Sequence, residues 1–277
     1  MGCHFTGDSI SVISDFLIAE MEILIISIVA LLASTLTFFS GFGLGTLLLP
    51  AFALFFPLEL AIALTGFVHF ANNIFKLVLV GRHSNWEVIK KFGLPAILFA
   101  FLGAGTMLLL SDIDALHTYT WRDTVYEISL IKLIIACLLI FFALMEVHPK
   151  VREVQFDKNK LALGGMLSGF FGGLSGHQGA LRSAFLIRAG LSKEAFIATG
   201  VVIACLIDVS RLFVYFAHFK QQDFSENFLL LSVTTLAALA GALIGNKYLK
   251  KITYLTIQRI VAVLLFLIAI GLAAGTI

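Results

Sequence analysis

The stretch Ser175-Gly176-His177-Gln178-Gly179-Ala180-Leu181-Arg182-Ser183 gathers a hydroxyl, an imidazole, an amide and a guanidinium inside otherwise apolar sequence. A guanidinium fork donates paired hydrogen bonds to planar or tetrahedral oxyanions and stays charged at any relevant pH. At mid-depth in lipid such a charge costs about 2.5 to 3.5 kcal/mol, so Arg182 needs a partner or a task. An anionic ligand supplies both, and so does Asp208; the two can alternate. Earlier in the chain His69, Asn72, Asn73 and Lys76 recur at spacings of three and four, which places them along one side of a helix. A comparable stretch carries Asp208 and Arg211, whose i,i+3 spacing allows a local ion pair. Lys76 has a structural alternative, snorkelling to the membrane surface. The run Ser40-Gly41-Phe42-Gly43-Leu44-Gly45 offers a small hydroxyl and backbone that a ligand can approach, with close helix packing as its structural reading. The candidate substrate-binding set is Ser40, Gly41, Gly43, Gly45, Asn72, Asn73, Lys76, Ser175, Gly176, His177, Gln178, Arg182, Asp208 and Arg211.

These residues need elements to hold them, and composition says in which solvent. The chain is 277 residues long, 60% hydrophobic and 13% charged, so lipid must cover most of its surface. A net charge of +2 without a large basic cluster gives no case for nucleic acid. Cys3, Cys137 and Cys205 are scattered, which excludes a disulfide framework and a metal spacing. Apolar segments fall near 23–56, 58–80, 93–111, 128–147, 161–190, 194–218, 226–246 and 252–276. The fold expected is all-α and polytopic, with about eight segments. Segments 23–56 and 161–190 are too long for one span and are broken by Gly41, Gly43, Gly45 and Pro50, and near Ser175-Gly176. Each reads as a re-entrant hairpin of two short helices that returns to the side it entered from.

Loop charges test that reading, because short cytoplasmic loops collect Lys and Arg. With both hairpins returning, Arg82, Lys90, Lys91, Lys150, Arg152, Lys158, Lys160, Arg188, Lys193, Lys247, Lys250 and Lys251 share one side, against Arg122 and Lys220. If both segments crossed once, the bias would shrink to 8 against 6. Both termini are then expected outside the cytoplasm. An offset of 135 residues pairs Ser40-Gly41 with Ser175-Gly176, Glu59 with Glu194, Asn73 with Asp208, and Lys76-Leu77 with Arg211-Leu212. The expected organisation is an extracytoplasmic leader at 1–22, a first repeat at 23–147, a cytoplasmic linker at 148–160 and a second repeat at 161–277. One hairpin and three crossings per half make the halves inverted, a plan that puts substrate near the midplane, facing broken-helix dipoles.

The two Gly-rich broken segments, Ser40-Gly41-Phe42-Gly43-Leu44-Gly45 ending at Pro50 and Gly169-Phe170-Phe171-Gly172-Gly173-Leu174-Ser175-Gly176, resemble those of the sulfite exporter TauE/SafE family. The resemblance covers nearly the whole chain. It implies a permease for sulfur-containing anions such as sulfite or organosulfonates, working by alternating access in the cell (inner) membrane with no cofactor. The chain departs from the family pattern at His177 to Arg182 and at Phe185, where Pro50 would align, which bears on the substrate and leaves the fold untouched. Coupling to protons, through Asp208 or His177, or to Na+ is compatible with this reading, as is a homo-oligomer; a facilitative pathway needs no coupling. Two rivals come from other classes. Gly173-Leu174-Ser175-Gly176, with His69, Asn73 and His218, resembles a rhomboid-type serine protease, although the duplicated Ser-Gly suits no single nucleophile. A membrane assembly factor without transport is the other.

Overall fold

The computed structural model describes residues 7–37, 43–147, 156–219, 221–248 and 254–277. Its first half comprises helices α1 (Gly7–Thr37), α2 (Leu44–Ala53), α3 (Leu58–Val80), α4 (Trp86–Ser111) and α5 (Leu130–Val147). Its second half comprises α6 (Leu161–Ser175), α7 (Gly179–Leu186), α8 (Lys193–His218), α9 (Gln221–Glu226), α10 (Phe228–Tyr248) and α11 (Tyr254–Ala273). Among the described residues, five stretches are long and apolar enough to cross a membrane: Ala19–Leu36, Leu58–His83, Trp86–Ser111, Lys193–His218 and Phe228–Gly245. Shorter apolar helices cover Leu44–Ala53, Leu130–Met145 and Ala262–Ala273. The chain is a helical polytopic membrane protein.

Two features differ from the sequence expectation. Helix α1 runs unbroken across the expected boundary at residue 22, because no Gly or Pro interrupts residues 8 to 37 and acidic side chains do not stop a helix. The first arm of the first broken segment is therefore 31 residues rather than a short piece. The connection after α4 also contains an antiparallel hairpin, β1 (His117–Trp121) and β2 (Thr124–Ile128). Arg122 and Asp123 turn it with φ of 49° and 64°, as a tight two-residue turn requires. Tyr119 stacks on Tyr126, and its hydroxyl donates to Ala274 O at 2.6 Å, fastening the hairpin to the end of α11.

The second broken segment returns as expected. Helix α6 ends at Gly176, whose φ of 81° lies in the left-handed region, and α7 starts at Gly179. At 1.5 Å per residue the two arms reach only about 22 Å and 12 Å. Ser168 Oγ donates to Gln178 O at 3.0 Å, tying the arms together. The Phe156 N–H donates to Ala184 O, and the Phe156 and Phe185 rings stack at 4.1 Å, so the chain leaves α7 beside the place where it entered α6. In the first segment, Gly43 (φ 110°) precedes α2 and accepts the first helical bond from the Leu47 N–H. Ser40 and Gly41 lie outside the described residues.

Three helix contacts frame the molecule. Helix α6 lies parallel to α4 with Gly165, Gly169 and Gly173 in register with Phe92, Ala96 and Ala100. A Cβ on any of the three would come within 2.1 to 2.2 Å of the facing carbonyl oxygen. Helix α1 lies along α10 in the same sense, with Ser27 near Thr234 and Gly241 against the Leu31 carbonyl. Helix α3 crosses α8 antiparallel: Gly66 meets Leu212, His69 meets Asp208, and the Asn85 N–H donates to Thr199 Oγ1 at 2.9 Å. These contacts bring the connections at 81–85, 156–160 and 187–192 to one end of the molecule, over a cluster that includes Val88, Phe92, Leu161 and Phe185. Arg82, Lys158, Lys160 and Arg188 belong to that end, while Arg122 sits on the β turn at the other. Lys150, Arg152, Lys220, Lys250 and Lys251 lie outside the described residues.

Candidate functional site

Helix α3 presents His69 at its centre, eleven residues from Leu58 and eleven from Val80. The opposing helix α8 presents Asp208 and, one turn on, Arg211. Asp208 is fully buried and its carboxylate is saturated. Oδ1 accepts from Arg211 Nε at 3.0 Å, Arg211 Nη2 at 2.8 Å and Gln178 Nε2 at 3.0 Å. Oδ2 lies 2.7 Å from His69 Nδ1 and accepts from Asn73 Nδ2 at 3.2 Å. A carboxylate has about four lone-pair sites, so this one is occupied on every side by α3, α8 and the turn before α7. The i,i+3 pair read from sequence is formed. Asn73 and Asp208, matched at an offset of 135, touch each other directly.

Arg182 is buried, and its Nη1 donates to Gln178 Oε1 at 2.9 Å. Gln178 thus links Arg182 to Asp208, the indirect form of the pairing that sequence suggested. The Arg182 Nε lies 3.5 Å from where a Cβ on Gly200 would stand, so the side chain is seated on α8. Lys76 is buried rather than snorkelled, and its charge lies within electrostatic range of Arg182. Asn72 accepts from Ser34 Oγ at 3.1 Å, joining α3 to α1.

The two turns meet at this site. A Cβ on Gly45, at the start of α2, would lie 3.5 Å from Gly176 O and 3.7 Å from His69 Cδ2. Gly176 itself has no room for a side chain, because a Cβ there would be 2.8 Å from Arg211 Nη1. The His177 ring stacks on Phe142 of α5 at 5.3 Å with its Nδ1 at 3.0 Å from Ser175 O. The first turns of α2 and α7 both start here, and such turns carry N–H groups without helical partners and a positive dipole end. Asn73, Gln178, Arg182, Asp208 and Arg211 are thus joined in one buried network with Gly45, Ser175, Gly176 and His177 beside it, while Asn72 is bonded to Ser34, Lys76 lies further along α3 and Gly43 precedes α2; Ser40 and Gly41 fall outside the described residues.

Sequence reasoning missed Ser34, Phe142 and Tyr215. Tyr215 is buried beside Arg211, and its hydroxyl donates to Gly173 O, which joins α8 to α6. Its position four residues after Arg211, on the same helical side, was the available signal. Ser34 and Phe142 lie far off in sequence, and nothing local marks them. Ser175 Oγ donates to Phe171 O four residues back, and His218 is exposed at the end of α8 with its ring against Phe219. That arrangement gives Ser175 no catalytic base from His218. Among the described residues, no group of His, Cys, Asp and Glu has the arrangement of a metal site.

Among the described residues the buried ionic side chains are Lys76, Arg182, Arg211 and Asp208. Comparison with protein families matches residues 26–272 to the profile described as sulfite exporter TauE/SafE. No curated protein and no solved structure matches the chain.

Proposed function

From the chain's membership of the sulfite exporter TauE/SafE family, a family of membrane transporters and not of enzymes, we propose that it carries a sulfur-containing oxyanion by alternating access around the Asp208 cluster. The observation that carries this reading is the buried polar network in which Arg182, Gln178, Asp208 and Arg211 meet where the turn before α7 reaches the α3–α8 crossing. A buried guanidinium is costly in lipid, and its planar fork is matched to the oxygens of a small oxyanion. The dipole ends of α2 and α7 add to the same attraction.

Inverted repeats explain why these parts converge. At an offset of 135 residues α2 corresponds to α7 and α3 to α8, and in chain order α1 then matches α6, α4 matches α10 and α5 matches α11. The packing follows that correspondence: α4 lies on α6 as α10 lies on α1, α4 meets α8 as α10 meets α3, and α2 meets α11 as α7 meets α5. The antiparallel crossing of α3 and α8 and the Asn73–Asp208 contact support an axis between them. On this plan α3, α4, α5, α8, α10 and α11 cross, the two broken segments return, the basic end faces the cytoplasm, and both termini face away from it.

Substrate reaches the cluster when the hairpin tips part from α3 and α8 on one side or the other. Arg182 is suited to follow it, because its bond to the Gln178 amide is one that an oxyanion can replace. Purified protein should be stabilised against heat by sulfite or a small sulfonate and not by an organic cation, since a ligand of the native state stabilises by mass action. Arg182→Ala should remove that shift while leaving the ligand-free melting curve cooperative. An undiminished shift in the variant would exclude Arg182 as the anion contact, and the absence of any anion shift in the parent would refute the carrier reading.

A further inference from the structure

Two polar atoms beside Gly176 are buried and make no hydrogen bond to any described residue: Arg211 Nη1 and His177 Nε2. Their chemistries are opposite. Arg211 already gives Nε and Nη2 to Asp208, so Nη1 is a charged donor in need of an acceptor. His177 Nδ1 sits 3.0 Å from Ser175 O, which can only accept, so that nitrogen carries the ring hydrogen. Ser175 Oγ, 3.2 Å away, spends its own hydrogen on Phe171 O and faces His177 as an acceptor too. In the neutral ring Nε2 is therefore a lone pair that needs a donor.

The ring is fixed in that orientation by its stack on Phe142, nearly parallel at 8°. Arg211 Nη1 abuts Gly176, the residue next to His177, and the two side chains lie within electrostatic range. Orphaned buried polar atoms are rare, because each costs the desolvation of the group with no return. A ligand that satisfied this pair would need an anionic oxygen for Arg211 and a hydrogen of its own for His177.

We propose that the site selects anions bearing their own O–H or N–H donor, such as a monoprotonated oxyanion or a hydroxyl- or amino-substituted sulfonate, over aprotic anions of similar size, with His177 as the specificity-determining residue. This rests on the anion-carrier reading and narrows its substrate class. Titration calorimetry on the full chain in lipid nanodiscs, with 2-hydroxyethanesulfonate and ethanesulfonate as probes, tests it. The hydroxylated probe should bind about tenfold more tightly, the scale expected when a buried polar group is left unpaired by the other ligand. His177→Phe keeps a ring against Phe142 and removes the lone pair, so it should lose the preference and bind both probes alike. Equal affinities in the parent, or a preference that survives in His177→Phe, would overturn the assignment. The parent comparison decides the matter if the variant does not fold. Binding of ethanesulfonate without a preference defeats the role of His177 alone, whereas binding of neither probe nor sulfite defeats the carrier reading with it.

Discussion

The α4–α6 and α3–α8 contacts solve the same problem, joining helices in lipid, by opposite means. In the first, side chains are removed: Gly165, Gly169 and Gly173 let one backbone rest on another, and dispersion between closely packed atoms supplies the attraction. In the second, side chains are added, and His69, Asn73, Asp208 and Arg211 fill the crossing with hydrogen bonds. A dry, backbone-tight contact has one low-energy arrangement. A polar contact can exchange partners, since a ligand offers the same kinds of bond. The difference teaches where rigidity and exchange reside: α4–α6 is the frame, and on the proposed mechanism α3–α8 with the hairpin tips is the part that opens.

The largest expected effect breaks the polar contact. Asp208→Asn keeps the shape but leaves Arg211 without its counter-charge, and loss of one partner of a buried pair costs about 3 to 5 kcal/mol. Loss of a monodisperse peak in detergent, or a steep fall in melting temperature, checks this; an unchanged melting temperature would mean that the pair contributes no cohesion. Gly169→Ala breaks the dry contact. Its methyl would stand 2.2 Å from Ala96 O, so the helices must separate, at about 1 to 3 kcal/mol by the usual cost of overpacking. Thermal denaturation of the purified variant measures it.

The smallest effect on stability sharpens the comparison, because it uses the same substitution at the other kind of place. A Cβ on Gly45 meets Gly176 O and His69 at ordinary contact distances of 3.5 and 3.7 Å. Gly45→Ala should therefore change stability by less than about 1 kcal/mol, within the range of well-tolerated substitutions, yet slow anion flux into proteoliposomes. Flux equal to the parent's would place the opening away from the point where α2 meets Gly176.

Much of the frame was legible in the residues. The left-handed break at Gly176 follows from a Ser-Gly pair in a segment too long for one span, and its return follows from arms too short to cross. The start of α1 was not legible as a boundary, because the acidic residues before Ile23 mark a change of solvent and not an end of helix. The β-hairpin was overlooked because His117–Ile128 is short and lies between apolar segments that dominate any reading by hydropathy. For the site, residue type and spacing marked Arg182, Asp208 and Arg211 as buried polar groups, but not their linkage: Gln178 as the bridge between Arg182 and Asp208 has no signature of its own.

The sequence by itself determined the solvent, the break at Gly176 and the Asp208–Arg211 pair, since each depends on composition or on local spacing. Only the tertiary structure decided that Asn73 would touch Asp208, that Gly45 would approach Gly176, and that Arg211 Nη1 and His177 Nε2 would be left without partners. Those outcomes depend on how helices cross. A crossing is set by the summed shape of side chains more than a hundred residues apart, and no local pattern carries that sum.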